Sequence, residues 1–132
     1  MNGELLPLVM IPRFTSYVGE GTYTTVPLEI SEFEGAAIEF WRGHLAGKAQ
    51  GATFAAYLEE AFEASPPTLA DWTTLASTTA DNASNLYQVA FSQRYFRIRI
   101  VLVKDATNGL AAITCWAAGT LERRIPPGAA PE

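Results

Sequence analysis

The segment from Phe91 to Val103 constrains the fold more than any other part of the chain. Phe96, Ile98, Ile100 and Leu102 fall on one side of an extended chain, and Tyr95, Arg97, Arg99 and Val101 on the other. A period of two on this scale defines a β-strand with one buried face, since a helix would scatter the same apolar residues around its circumference. A strand of that kind needs partners beside it and a second layer over its apolar face. Lys104-Asp105-Ala106-Thr107-Asn108-Gly109 follows with turn chemistry, Asn-Gly tolerating positive φ, and Leu110 to Arg124 returns as a second long strand. A hairpin is the expected product.

The remaining chain supports the same class. Ala37 to Leu45 alternates, with Ile38 and Phe40 opposite Glu39 and Trp41, and Val26 to Ile30 reads as a short strand. Ala52 to Ala64 fits a helical spacing through Phe54, Tyr57, Leu58, Ala61 and Phe62. It also fits a period of two that groups Phe54, Ala56, Leu58 and Phe62, and the β-rich context favours the strand. Asp81 and Asn82 mark a turn. The prediction is an all-β protein, an antiparallel β-sandwich of jelly-roll type over residues 26–125, with an extended N-terminal arm over 1–25 and a Pro-rich C-terminal tail over 126–132. The arm is broken by Pro7 and Pro12, yet it is too apolar for a solvated tail. It must lie on its own domain, as a first strand would, or on a neighbour, with Phe14, Tyr17 and Tyr23 as its contact residues.

Composition narrows the function. Of 132 residues 48% are hydrophobic and 17% charged, which suits one packed domain and excludes global disorder. A net charge of −5, with no basic cluster beyond Arg94 to Arg99, removes the basis for nonspecific nucleic-acid binding. No run reaches the roughly 18 apolar residues that span a bilayer, and Glu4 and Pro7 interrupt any leader, so no membrane partner is expected and synthesis is expected in the cytoplasm. The single Cys115 cannot form an intramolecular disulfide and reads as a small buried hydrophobe.

Catalytic material is sparse. His44 is the only histidine and has no nucleophile near it in sequence. The carboxylates Glu29, Glu32, Glu34 and Glu39 form no metal loop, and Glu59, Glu60 and Glu63 have no evident means of keeping one member protonated. No enzymatic activity, metal or cofactor is expected. Arg97 and Arg99 are expected to pair with glutamates on neighbouring strands, while Tyr95, Arg97 and Arg99 together offer a planar polar surface. Trp72 and Trp116 read as packing residues, and Trp41 as the interface aromatic.

Asp71-Trp72-Thr73-Thr74-Leu75-Ala76, followed by Gln93-Arg94-Tyr95-Phe96-Arg97-Ile98-Arg99-Ile100, resembles a pattern of discoidin-like and other jelly-roll modules. With a last strand ending in Arg123-Arg124 it is similar to small β-sandwich proteins of tailed bacteriophages, the decoration, cement and minor tail components. Discoidin-like modules are commonly clasped by a disulfide, which a lone cysteine forbids. The resemblance implies a virion location and a homo-oligomer, often a trimer, seated on a major capsid or other virion protein. The discoidin-like alternative implies a glycan held by Trp41, Tyr95, Arg97 and Arg99.

Overall fold

A computed structural model describes residues 4–66 and 68–124. Among the described residues there are nine strands: β1 (Leu5–Val18), β2 (Gly21–Thr24), β3 (Leu28–Glu29), β4 (Phe33–Arg42), β5 (Thr53–Ala61), β6 (Thr73–Thr78), β7 (Ala83–Ala90), β8 (Tyr95–Val103) and β9 (Ala112–Arg123). Short 3-10 turns lie at Lys48–Gln50 and Leu69–Asp71. One sheet has the order β1-β9-β4-β7 and the other β2-β8-β5-β6, with β3 pairing on β8. All the pairings are antiparallel. Only β5 and β6 are both consecutive and paired, and most other connections cross between sheets, which is the wrapped topology of a jelly roll. The protein is thus the antiparallel β-sandwich expected from its alternation.

The core is the sum of the inward faces. Phe96, Ile98, Ile100 and Leu102 of β8 and Phe54, Ala56 and Leu58 of β5 meet Ile38 and Phe40 of β4 and Ile113, Cys115 and Ala117 of β9 across the sandwich, all buried. The period-two reading of Ala52 to Ala64 therefore holds over β5. Phe62 departs from it: the strand ends at Ala61, and Phe62 is 71% exposed in the following loop. The strand foreseen over Val26 to Ile30 shrinks to Leu28–Glu29.

The expected hairpin does not form. β8 pairs with β2, β3 and β5, whereas β9 pairs with β1 and β4, so residues 104–111 carry the chain from one sheet to the other. Asp105 organises this crossing. Its carboxylate accepts backbone N–H groups from Thr107 at 2.9 Å, Asn108, Gly109 at 3.2 Å and Leu110 at 3.0 Å, and Gly109 takes φ +65°. These bonds, that of Asn108 foremost, hold its carboxyl below the usual carboxylate range.

The N-terminal strands belong to the sandwich. β1 runs antiparallel along β9 from Leu5 opposite Glu122 to Val18 opposite Ala112, and β2 joins the other sheet against β8. The boundary drawn at residue 26 therefore falls inside the domain. Pro7 keeps its place opposite Thr120 because β1 is an edge strand and one of its sides needs no ladder, while Pro12 falls in the stretch between Ile11 and Thr15 where the pairing with β9 is irregular. The C-terminal tail over 126–132 lies outside the described residues.

Candidate interaction surfaces

Each sheet turns one face outward, and the two faces are finished differently. On the β2-β8-β5-β6 sheet, Glu59 lies directly across from Arg97, and Tyr57 across from Arg99. Arg97 Nε donates to Glu59 Oε1 at 2.7 Å and Arg99 Nε to the same oxygen at 3.2 Å. Arg97 also lies 3.9 Å from the Trp72 ring centre and Arg99 4.1 Å from that of Tyr57. Glu59 is 1% exposed because two guanidinium groups and these rings roof it. Arg97 and Arg99 thus pair with a cross-strand glutamate as expected.

The three glutamates of this region have separate fates. Glu60 turns to the end of the sandwich, where its carboxylate accepts the N–H groups of Ser92 (2.9 Å) and Gln93 (3.0 Å) and the Ser92 hydroxyl (2.9 Å). Glu63 is exposed. No acid/base pair arises among them.

The outer face of the β1-β9-β4-β7 sheet has no comparable network. Trp41 of β4 stands opposite Trp116 of β9, and Arg13 lies 4.5 Å from the Trp116 ring centre. With Phe14 and Thr114 these residues line a cleft of about 400 Å³. Phe14 takes φ +66°, a conformation that costs a non-glycine side chain energy, within the second of two irregularities in the β1 register, between Ile11 and Thr15; the residue is 92% exposed. Farther along the face come Val9 and Leu5 of β1 and Leu86 of β7, each more than half exposed. A shallow groove of about 580 Å³ ends the face, floored by Gly35, Ala37 and Ala90 and flanked by Glu34 and Glu122. The hydrogen bond between these carboxyls, then burial and the charge of Glu34, pushes the Glu122 carboxyl above its usual range.

The residues singled out in the sequence therefore divide into three places. Trp41 and Phe14 share the open face of one sheet; Tyr95, Arg97 and Arg99 lie on the far side of the sandwich in the other. A glycan cannot span Trp41 and that arginine pair together. Tyr17 and Tyr23 pack against each other with ring centres 5.0 Å apart, and the Tyr23 hydroxyl bonds the carbonyls of Val18 and Gly19, which ties down the β1–β2 turn. Trp72 is buried, as read from the sequence, but Trp116 is a surface residue that works beside Trp41. Its phase gave the signal: Ile113, Cys115 and Ala117 take the inner positions, which leaves Trp116 outside. His44 is exposed. Among the described residues no three His, Cys, Asp or Glu side chains are grouped to hold a metal, and no helix is long and apolar enough to cross a membrane.

No protein family and no curated protein matches the chain by sequence. Solved structures match by shape. A chain in the structure of infectious bursal disease virus Gx strain aligns with a TM-score of 0.53 at 14% identity, covering 97% of this chain and 34% of that one. The VP2 subviral particle of the same virus gives 0.52 at 12% identity, over 91% of this chain and 33% of that one. The chain thus spans about a third of the viral chains it matches. A family 29 carbohydrate binding module aligns at 12% identity over 90% of this chain and 88% of that one, with a TM-score of only 0.39. At these identities the likeness establishes a shared fold, the jelly-roll sandwich found in viral capsid proteins.

Proposed function

We propose that this chain is a non-enzymatic structural protein of a virion, acting through protein–protein contacts as a capsid decoration, cement, or minor capsid or tail component. The open face of the β1-β9-β4-β7 sheet carries this reading. Leu5, Val9, Phe14 and Leu86 are exposed by 55%, 64%, 92% and 62%, beside Trp41 and Trp116, on a face where the described charges reduce to Arg13, Glu39 and the Glu34–Glu122 pair. Exposed apolar residues grouped on one face mark a contact surface, and aromatic residues with arginine are the side chains that such surfaces favour. The opposite face, closed by its own arginine–glutamate–aromatic network, has no such need. The viral likeness in fold agrees with this role, which would place the protein in a particle alongside other copies of itself or other virion proteins.

The test is electron microscopy with light scattering on the concentrated protein, comparing the parent with Phe14→Asp and Trp41→Asp. The parent should form ordered assemblies, and the two variants should fold normally and lose them, because neither side chain belongs to the core. A glycan array run on the same samples decides the alternative. A parent that never assembles but binds a glycan through Trp41 would replace the virion reading with the carbohydrate one.

A further inference from the structure

The sandwich exposes four sheet edges, and three of them are protected. β1 carries Pro7 and Pro12 and two register irregularities against β9. The β2 and β3 edge is made of strands of four and two residues. β6 has six residues and a register irregularity against β5. Prolines, bulges and shortness are the means by which proteins prevent strands from adding to an edge. β7 uses none of them. Ala83-Ser84-Asn85-Leu86-Tyr87-Gln88-Val89-Ala90 contains no proline and no charged residue and pairs with β4 in unbroken register. Ser84, Asn85, Leu86, Gln88 and Ala90 are all exposed.

We infer that β7 is a pairing edge whose occupant is β7 of a second copy, joined antiparallel about a twofold axis into one continuous eight-stranded sheet. Residues directly opposite in an antiparallel pair point to the same side, so the axis has to pass through a residue and not between two. Leu86 is the position that fits. An axis there sets Leu86 against its own copy on the outer face, where it is 62% exposed, and sets Ser84 against Gln88. On the inner side Asn85 meets Tyr87 and Ala83 meets Val89. Every pair is apolar with apolar or polar with polar, and no like charges oppose one another, which is unusual for a chain of net charge −5. An acidic or basic partner strand would find no counter-charge on β7.

Self-pairing at this edge also makes the two open apolar faces one surface, since a twofold axis perpendicular to the sheet keeps both outer faces on the same side. The inference rests on the assembly reading above and specifies its partner. An edge of eight residues buries less than the roughly 1,600 Å² of a standard stable interface, so the isolated pair should depend on concentration and gain strength from multivalency in a larger assembly.

The experiment is solution mass by light scattering over a hundredfold range of concentration for the full chain, Leu86→Lys, Leu86→Glu and their equimolar mixture. The parent should rise toward twice the monomer mass, each variant alone should stay monomeric with an unchanged melting temperature, and the mixture should recover the dimer. Variants that associate like the parent would remove β7 as the edge while leaving the assembly reading in place. A parent that stays monomeric at every concentration would overturn the inference, and so would a mixture that fails to pair. The assembly reading is judged separately by the Phe14 and Trp41 variants.

Discussion

Two buried charged residues show how this sandwich tolerates ions. Arg42 is 1% exposed and pairs with no carboxylate among the described residues; Nε donates to Ala80 O at 2.7 Å, Nη1 to Phe40 O at 3.1 Å, and Nη2 to Thr78 Oγ1 at 2.9 Å and Asn85 Oδ1 at 2.8 Å. The guanidinium thereby ties β4 to β7 and to the end of β6, spreading its charge over carbonyl and hydroxyl dipoles. Glu59 takes the other route and shares its carboxylate between two arginines. Replacing one member of a buried pair is costly because its partner keeps its charge without compensation. Glu59→Gln should therefore lose about 3 kcal/mol of stability, reduced from the fully buried limit only by the residual exposure of the arginines. Arg97→Ala should lose less, since Glu59 retains Arg99. Urea titrations that put the two variants in the reverse order would show that the Trp72–Arg97 stack, and not the carboxylate, holds this face.

At the level of the elements, β9 is the strand on which one sheet depends, with β1 on one side and β4 on the other. Gly119 lies between Leu8 and Ile38 in this arrangement, and a Cβ there would stand 1.8 Å from the carbonyl oxygen of Ala37. That oxygen is backbone and cannot swing aside, so Gly119→Ala must push β4 away from β9. The expected loss is about 2–4 kcal/mol, seen as a lower denaturant midpoint, and a neutral result would mean that β4 shifts freely. The elements also show what was legible in the sequence. β8 and β4 were readable because alternation records a half-buried face within the strand itself. The β8–β9 hairpin was misread because Asn108-Gly109 supplies positive φ equally well whether the next strand joins the same sheet or the opposite one. β1 looked like a separate arm because proline is punctuation in a central strand but tolerable at an edge. The Arg97 and Arg99 pairing was foreseen, but its glutamate was not, since a register between β5 and β8 joins residues 38 and 40 positions apart. The open face was half legible: the phases of Trp41 in β4 and of Trp116 in β9 both point outward, although Trp116 reads equally well as a packing residue, whereas Arg13 required knowledge that β1 adjoins β9.

For the whole molecule, the jelly-roll wrapping means that hardly any strand rests only on its neighbours in sequence, so the two sheets should come apart together. Cys115 can report on this. It lies on the inner face of β9 opposite Thr15 of β1 and Arg42 of β4, it is 0% exposed, and burial pushes its thiol up to about 12 despite the opposing pull of Arg42. Because the folded value is raised, the contribution of this thiol to stability is fully present below the unfolded value of about 8.5 and declines as pH climbs from there toward 12. At pH 8 the folded thiol is both protonated and out of reach, so a thiol reagent should modify it only through opening. If the sandwich opens as one unit, the labelling rate in low urea should rise with a slope equal to that of equilibrium unfolding. A labelling rate independent of urea would instead assign the opening to β1 peeling from β9. In that case the edge strand that carries Phe14 would be the least anchored part of the open face, and docking at that face would have to include the cost of fixing it.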